Sequence, residues 1–486
     1  MIKYWLITTA LLAGTVCRGA GKGWLPSETW RGFNLQGMFV YGGGANAEGK
    51  VIDYGGCFRE EYFRLMHEWG FNFVRLPLDY RYFMADDGTF KEEGFQRLDE
   101  ALAFGRRWKI HVQPCLHRAP GFCVIDQPST RDLFKGGEKN LALFLRFWKE
   151  AARRYRGVSN EAMSFNPVNE PDLAPEANVV QVYEQVIAAI HGEDPSRFIV
   201  LDGRGWGRLP LPPLEGRPLV GFAARGYDPA NLTHYLIGNG GSSTADPVWP
   251  IRRGSPCGSW FPGTELTIRD VPASEVSVGF GLVTKGPAGF TIEADGEVVR
   301  RFELPSGPCT NRVVFTLPKD VSRLTVRAVS VPDRVYPGSF RFFAKDGRKA
   351  ELAIAMGWEN GQCLGWSPMV RTDCSFPGWD NFPPEEEGVA YLRENVLAPW
   401  RKCRDAGNFV MVGEWGISHF VPHVMACTFV RDFVQACDDE GLGWAMWNFD
   451  GDFGLANSGR MDIEHERIGS FDVDRAMLEL LRGKSK

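Results

Sequence analysis

The chain has 486 residues, enough for two or three ordinary domains or for one large barrel with an addition. Apolar residues make up 44% and charged residues 24%, which is typical of globular proteins. The net charge of -5 gives no support for nucleic acid or an anionic membrane as a partner. Composition therefore favours a globular protein and disfavours nucleic-acid-binding and integral membrane classes.

The first residues have the pattern of a secretory signal peptide. Lys3 supplies a positive charge, and residues 5–16 form an apolar stretch too short to span a membrane as a helix. Cys17 and Gly19 are the small residues expected just before a cleavage site, and the residues preceding Cys17 do not form a lipoprotein motif. We predict a signal peptide over residues 1–19 and a secreted or periplasmic protein that no membrane anchors.

Cysteine spacing favours disulfides or buried thiols over a metal site. Removing Cys17 with the signal leaves ten of the 11 cysteines, an even number in an exported chain. Cys363 and Cys374, in a loop rich in Gly and Pro, are the first pair to test for a disulfide. The sequence contains neither a paired CxxC nor an HExxH motif, so we predict no metal and no cofactor.

Short apolar strands alternate with amphipathic helices over residues 20–255. Alternation of this length predicts a parallel sheet with right-handed crossovers. The same alternation returns over residues 356–486, and the two parts together supply eight strands, the number in a (β/α)8 TIM barrel. The predicted strands end near Asn34, Arg75, His117, Glu170, Asp202, Tyr227, Glu414 and Trp447.

The intervening residues, 256–355, lack helical periodicity. They contain short alternating strands such as 265–269, 313–317 and 324–329. Asp295-Gly296 between two such strands predicts a hairpin with a type I′ turn. We therefore predict an all-β sandwich inserted in the barrel between its sixth and seventh strands.

Polar side chains gather where the predicted barrel strands end, on the face where such barrels place their sites. Two of them are carboxylates, Glu170 in Asn169-Glu170-Pro171 and Glu414 in Gly413-Glu414-Trp415. Two carboxylates on one face, with no metal set and no phosphate-binding loop, indicate glycoside hydrolysis by paired acids. The remaining strand-end side chains are Arg75, His117, Asn169, Tyr227 and Trp447.

Seven short motifs, in order through both barrel parts, resemble the cellulase-type family 5 of glycoside hydrolases, in clan A. The resemblance covers the barrel and leaves out the inserted segment. The matching motifs are residues 31–35, 70–77, 116–121, 169–171, 227–229 with 233–234, 413–416 and 444–449.

The resemblance implies a retaining double displacement. Glu170 would be the general acid/base and Glu414 the nucleophile, with their carboxyl groups about 5–5.5 Å apart. Glu170 would need a raised pKa, helped by the negative charge of Glu414. Arg75 and Tyr227 would hydrogen-bond Glu414.

The resemblance also implies sugar contacts. Asn169 would hold a 2-hydroxyl, His117 would contact the sugar next to the scissile bond, and Trp447 would be its stacking platform. The chain departs from the family at Arg225-Gly226-Tyr227, because the family has a histidine where this chain has Arg225. A fixed cation there would lower the pKa of a nearby carboxylate or reshape a sugar subsite, and we place Arg225 among the substrate-binding residues with Arg75, His117, Asn169, Tyr227 and Trp447.

The substrate is left open by these residues. A β-linked polysaccharide or oligosaccharide is the expected partner, and an endo-β-1,4-glucanase is the first interpretation. Mannanase, xyloglucanase, β-1,3-glucanase and exo-acting β-glucosidase activities would use the same catalytic set, and a barrel that binds carbohydrate without cleaving it is a further alternative. The inserted segment would bind glycan, shape the cleft or mediate dimer contacts. The oligomeric state is not predicted.

Overall fold

A computed structural model describes the backbone of residues 24–39, 59–237, 247, 249–250, 260, 265–333, 335–354, 369–374 and 384–483. The predicted signal peptide and Cys363 lie outside these residues, so neither the signal nor the proposed disulfide is tested. Among the described helices, none has the length and apolarity needed to cross a membrane.

The central element is an eight-stranded sheet in the order β4-β3-β2-β1-β18-β17-β6-β5. Apart from the short β4, which runs antiparallel to β3, its neighbouring strands are parallel. Every residue of β2, β3, β6 and β17 is buried, as expected for strands covered on both faces. These strands are β1 (Arg31–Asn34), β2 (Phe73–Asp79), β3 (His111–Ala119), β4 (Phe122–Cys123), β5 (Ile199–Asp202), β6 (Val220–Gly226), β17 (Val410–Trp415) and β18 (Gly443–Met446).

The sheet closes between β3 and β5 through a segment with isolated parallel bridges. Met163 and Asn166 pair with β3, and Phe165 pairs with Ile199 at the start of β5. We predicted a strand continuing to Glu170, but the bridging ends at Asn166. Pro167 explains the difference, because proline has no N–H to donate to a ladder. The predicted TIM barrel is present, and residues 163–166 take the place of a regular barrel strand between β3 and β5.

The helices bury one face against the barrel. In α3, the buried residues Phe144, Phe147, Trp148 and Ala151 have the three- and four-residue spacing of one helix face. Burying each large side chain of this kind contributes roughly 1.5–3 kcal/mol. The helices are α1 (Glu60–Glu68), α2 (Glu92–Trp108), α3 (Glu138–Arg154), α4 (Glu176–Glu193), α5 (Arg204–Gly207), α6 (Ala230–Thr233), α7 (Pro384–Leu392), α8 (Arg401–Asp405), α9 (His423–Asp439) and α10 (Arg475–Leu481).

Residues 265–374 contribute antiparallel strands in two sheets, one in the order β10-β9-β13-β7 and the other β11-β8-β14-β15-β16, with β12 paired to β8. Side chains from both sheets, including Phe290 and Phe340, share one apolar core. Asp295 and Gly296 have φ values of 50° and 88°, as the predicted type I′ turn requires. The strands are β7 (Glu265–Val271), β8 (Ser274–Val283), β9 (Ala288–Ala294), β10 (Glu297–Leu304), β11 (Gly307–Pro308), β12 (Val313–Leu317), β13 (Val321–Ser330), β14 (Val335–Ala344), β15 (Lys349–Ile354) and β16 (Met369–Cys374).

Residues 391–403 do not form one regular helix. The chain leaves α7 through a π-helical turn at Arg393–Leu397 and a 3-10 turn at Ala398–Trp400 before α8 begins. Pro399 explains the interruption, since its ring removes one backbone donor and disfavours a regular helix before it. The C-terminal region adds a short hairpin, β19 (Glu466–Ile468) and β20 (Phe471–Val473), which we did not predict.

Candidate active site

The predicted site residues meet at the carboxyl edge of the barrel, where Arg225 connects the two carboxylates. Its Nε donates to Oε1 of Glu170 at 2.8 Å, and its Nη2 donates to Oε1 of Glu414 at 3.2 Å. One planar guanidinium therefore contacts both candidate catalytic groups, which lie 244 positions apart in the sequence.

Glu414 is held by three donors, one from β2 and two from the end of β6. Besides Arg225, Nη1 of Arg75 and the hydroxyl of Tyr227 donate to it, the hydroxyl at 3.3 Å from Oε2. The residue is 3% exposed. Burial and the charge of Glu414 raise the pKa of Tyr227 well above its usual value, so the hydroxyl keeps its proton to donate. The predicted contacts of Arg75 and Tyr227 with Glu414 are thus present.

Glu170 lies in a different environment. Its backbone is left-handed, with φ of 47°, a conformation that is unfavourable for a residue with a side chain by roughly 1–2 kcal/mol. Its backbone N–H donates to Oδ2 of Asp202 at 2.9 Å, which holds this conformation in place. Burial, followed by the negative charge of Glu414, raises the pKa of Glu170 to about 7, although Arg225 opposes the shift. Glu170 therefore keeps a proton up to near-neutral pH, as a general acid must.

Asn169 is oriented by two arginines. Its Oδ1 accepts from Arg75 at 2.8 Å and from Arg225 at 2.9 Å, so its Nδ2 is the end left to face other groups. That nitrogen lies 3.3 Å from Nε2 of His117. Asn169 is fully buried, and its predicted contact with a sugar hydroxyl stays a prediction.

His117 lies between aromatic rings. Its ring stacks on Trp447 with centroids 5.2 Å apart and contacts Phe39 at 4.2 Å. Burial lowers the pKa of His117 well below its usual value, so the ring is neutral. Because the amide NH₂ of Asn169 donates to Nε2, the ring proton is on Nδ1, which is buried without a partner among the described residues. Trp447 is partly exposed, as a stacking platform would need to be.

Arg225 acts to lower the pKa of Glu170, as expected of a cation at this position, but its described contacts are not those of a substrate-binding residue. We placed it among the substrate-binding residues, yet it is 2% exposed and its guanidinium is surrounded by protein acceptors. Its Nη2 also donates to Asp202 and to Asn169. The described contacts of Arg225 are with the residues that organise the site.

The sequence reasoning missed Asp202 as a site residue. Its fully buried carboxylate accepts from Arg225, from Nη2 of Arg75 at 3.4 Å and from Nδ2 of Asn166 at 3.0 Å, as well as from the backbone of Glu170. Asp202 is the last residue of β5, so the strand-end criterion that selected the other residues would have found it.

Two buried asparagines complete the arrangement. Asn34 and Asn166 each accept from Arg75, at 3.0 and 2.8 Å, and thereby fix the plane of its guanidinium. Nδ2 of Asn34 also donates to the carbonyl of Gly413, immediately before the candidate nucleophile. Both asparagines lie on inward-facing positions of the barrel, where an amide is otherwise rare.

Among the described residues, neither a metal cluster nor a surface groove beside α3 forms part of this site. Within the described residues, there is no cluster of three or more side chains able to ligate a metal. A groove of about 1130 Å³ lies on the outer side of α3, between residues such as Phe90, Arg146 and Glu193. None of the predicted site residues lines it, so the groove is not the site of the chemistry.

An α/β barrel with a buried Glu414 and a mostly buried Glu170 at its carboxyl edge, where the pKa of Glu170 is raised to about 7, has the fold and site of a glycoside hydrolase. Residues 29–233 match the family model described as cellulase, glycosyl hydrolase family 5. Over these residues the chain matches the family that the resemblance predicted.

Related proteins agree with this assignment. A β-xylosidase of Phanerodontia chrysosporium is 31% identical over 146 residues, which are 28% of this chain and 29% of the relative. Endoglucanase C of Acetivibrio thermocellus is 28% identical over 183 residues, 35% of this chain and 51% of the relative. The matches thus span about a third to a half of these relatives.

Solved structures share the fold. A crystal structure described as a glycoside hydrolase superposes with a TM-score of 0.60 at 22% identity, over 94% of this chain and 99% of the other. Cel5A of Thermotoga maritima, in complex with cellobiose, superposes with a TM-score of 0.51 at 14% identity, over 94% and 97% of the two chains. At these identities the likeness establishes the fold.

Proposed function

We propose that this chain is a retaining glycoside hydrolase that cleaves β-linked polysaccharide, with endo-β-1,4-glucanase as the first assignment. The observation that carries the proposal is the pair of carboxylates on Arg225. Glu170 retains its proton to about pH 7, while Glu414 accepts from two guanidiniums and a phenol. Such unequal surroundings separate an acid from a nucleophile.

In the first step, a carboxylate oxygen of Glu414 attacks the anomeric carbon. The bond from that carbon to the leaving-group oxygen breaks, and Glu170 gives its proton to this oxygen. In the second step, the Glu170 carboxylate takes a proton from water, whose oxygen attacks the anomeric carbon and releases Glu414. Two inversions give net retention, and Glu170 ends protonated as it began.

The surrounding residues supply orientation and charge. Arg75 and Tyr227 aim the Glu414 carboxylate and stabilise it when it leaves the sugar in the second step. His117 and Trp447, whose rings are stacked, form the aromatic side of the sugar subsite. Asn169, fixed by two guanidiniums, directs its NH₂ group as the donor for a sugar 2-hydroxyl.

The relatives support β-glycan as the substrate class and leave two modes of action. Endoglucanase C of Acetivibrio thermocellus suggests internal cleavage of β-1,4-glucan. The relatives named β-xylosidase and probable glucan 1,3-beta-glucosidase A favour an exo-acting enzyme as the second candidate. A structure of Thermotoga maritima Cel5A with mannotriose adds mannan to the substrates to be tested.

The test is hydrolysis of a panel containing carboxymethylcellulose, β-mannan, xyloglucan, laminarin and aryl β-glycosides. Wild type should release oligosaccharides from at least one polymer, and a rapid fall in viscosity identifies internal cleavage. Glu170→Gln and Glu414→Gln should lose nearly all activity on natural substrates. Glu440→Gln is the matched control, because Glu440 is a mostly buried, arginine-paired glutamate beside α9. Binding of polysaccharide without cleavage would refute the enzymatic function and leave a carbohydrate-binding barrel.

The individual roles need product analysis. A 2-deoxy-2-fluoro glycoside with a good leaving group should label Glu414, and peptide mass spectrometry identifies the ester. Azide should rescue Glu170→Ala on the same type of activated substrate and give the β-glycosyl azide, because the glycosyl-enzyme forms without acid catalysis there. Label on another residue, or an α-azide from this variant, would contradict the assigned roles.

We also propose that the β-rich segment is an inserted domain and that the protein is exported. The shared core of its two sheets supports a separate unit, and β16 extends its pairing to residue 374. Limited proteolysis should leave a resistant fragment near residues 260–374. Expression with the native N-terminus should yield a secreted or periplasmic product that begins after Gly19. Retention of residues 1–19 in the mature protein would contradict export by a cleaved signal.

A further inference from the structure

Asp202 is a buried carboxylate at the centre of the site, and the proposed reaction gives it no role. Among the described residues, its carboxylate has no hydrogen bond with Glu414. Its partners are Arg225, Arg75, Asn166 and the backbone of Glu170. A charge in this position is fully removed from water, so it must be balanced by the groups that touch it.

The carboxyl and guanidinium groups around Asp202 form a cluster whose charges balance when Glu170 is protonated. Three carboxyl groups, those of Glu170, Glu414 and Asp202, face two guanidiniums, those of Arg75 and Arg225. If Glu170 is protonated, two carboxylates offset two cations. If Glu170 ionises, the buried cluster carries an excess negative charge. Neutral balance thus favours the proton on Glu170.

We propose that Asp202 is a positioning residue that offsets the charge of Arg225 and thereby keeps the leaving-group proton on Glu170. Asp202 also holds the left-handed backbone of Glu170 through the N–H it accepts at 2.9 Å. The inference rests on the proposed role of Glu170 as the acid/base. Without the Asp202 charge, two guanidiniums would face two carboxylates, and Glu170 would release its proton at lower pH.

Among the described residues, no other neighbour of Glu170 is expected to change its charge over the same pH range. Arg208, whose charge acts on Glu170, is paired with Asp228 at 2.7 Å. Burial keeps the remaining thiol, imidazole and phenol groups neutral at working pH, because their pKa values move away from neutrality. These groups are Cys115, His117, Tyr183 and Tyr227.

The test compares Asp202→Asn with Asp194→Asn. Asp194 is an equally suitable buried aspartate, because it pairs with buried Arg197 at 3.0 Å close to the opposite, amino end of β5. The titration of Glu170 is followed by NMR of carboxyl-¹³C-labelled glutamate and assigned by its absence in Glu170→Gln. The alkaline limb of kcat/KM against pH is measured on the same proteins.

Asp202→Asn should shift both the titration midpoint of Glu170 and the alkaline limb of the kcat/KM profile to lower pH, by about one to two pH units. Asp194→Asn should lower Tm and move neither midpoint. An unchanged Glu170 midpoint in Asp202→Asn would overturn the proposal, as would an equal shift in Asp194→Asn. If wild type hydrolyses no glycan, the NMR midpoint still decides the role of Asp202, while the proposed function fails separately.

If Asp202→Asn alone folds poorly, the same substitution is tested in the Arg225→Gln variant. Arg225→Gln should raise the Glu170 midpoint, and adding Asp202→Asn should bring it back towards wild type, since one carboxylate and one guanidinium have then been removed. The double variant has the net charge of the wild-type cluster. Equal midpoints in Arg225→Gln and the double variant would overturn the proposal.

Discussion

Replacing Glu170 with glutamine should stabilise the protein at alkaline pH while abolishing its activity. The glutamine carbonyl can still accept from Nε of Arg225, as Oε1 of Glu170 does at 2.8 Å. What the substitution removes is the negative charge that Glu170 acquires beside Glu414 and Asp202. The effect on stability therefore depends on pH, and it is absent where Glu170 is protonated in both the folded and the unfolded chain.

The pKa of Glu170 moves from its ordinary value of 4.5 to about 7 in the folded protein. Because the folded state keeps this proton where the unfolded chain has released it, the free energy of unfolding falls as pH rises from 4.5 to 7. At about 1.4 kcal/mol per pKa unit, the loss approaches about 3 kcal/mol by pH 8 and is nearly zero at pH 4.

The assay is thermal unfolding of wild type and Glu170→Gln between pH 4 and pH 8. The Tm of the variant should rise relative to wild type as pH increases, and the constant cost of the substitution cancels from this trend. Glu440→Gln is the control of opposite sign, because hydrogen bonds from Arg401 and then Arg393 lower the pKa of Glu440. Its stability deficit should shrink as pH falls. Parallel Tm curves for wild type and Glu170→Gln would refute the reasoning.

Three further outcomes are expected. Tyr227→Phe removes a hydrogen-bond donor 3.3 Å from the candidate nucleophile Glu414, so kcat should fall about 10- to 100-fold while Tm changes little. An unchanged kcat would contradict the proposed role of Tyr227. Burial lowers the pKa of His111 from 6.5 to about 3, so the unfolded chain takes up a proton that the folded chain refuses, and wild type should lose about 2 kcal/mol from this residue at pH 5. Chemical denaturation at pH 7 and pH 5 should show a smaller loss for His111→Gln, and equal losses would contradict this assignment. Gly416→Ala puts a Cβ 2.2 Å from the carbonyl oxygen of Trp447, so it should reduce stability by about 1–3 kcal/mol, measured as a lower Tm, and should also reduce kcat/KM. Gly192→Ala is the control, because there is open space around its Cβ, and it should change neither quantity.

Strand-end positions were predictable because a parallel barrel brings the carboxyl ends of all its strands to one face. Glu170 and Glu414 met for that reason although a long β-rich segment separates them in sequence. The contacts of Arg75 and Tyr227 with Glu414 followed from the resemblance. The raised pKa of Glu170 followed from two carboxylates near each other, although burial contributes more than Glu414 does.

Other properties depend on three-dimensional detail that spacing does not contain. The left-handed backbone of Glu170 arises after Pro167 ends the bridging, and the N–H contact with Asp202 stabilises it. Arg225 was predicted to bind substrate because it stands where the family resemblance has a histidine, two residues before Tyr227. Its burial among acceptors depends on Asp202, which comes from the preceding strand. A single motif could not reveal a charge pair made across two strands.

Arg225 also determines how few protons the site exchanges. An arginine does not release its proton in the working range, and burial keeps the imidazoles of His117 and His234 neutral by lowering their pKa values. From pH 6 to pH 8 the basic and imidazole groups around Glu170 thus hold a constant charge. Among the described residues, the proton on Glu170 is therefore the one whose loss changes the electric field in the pocket, and the alkaline limb of the activity profile should have a slope of one.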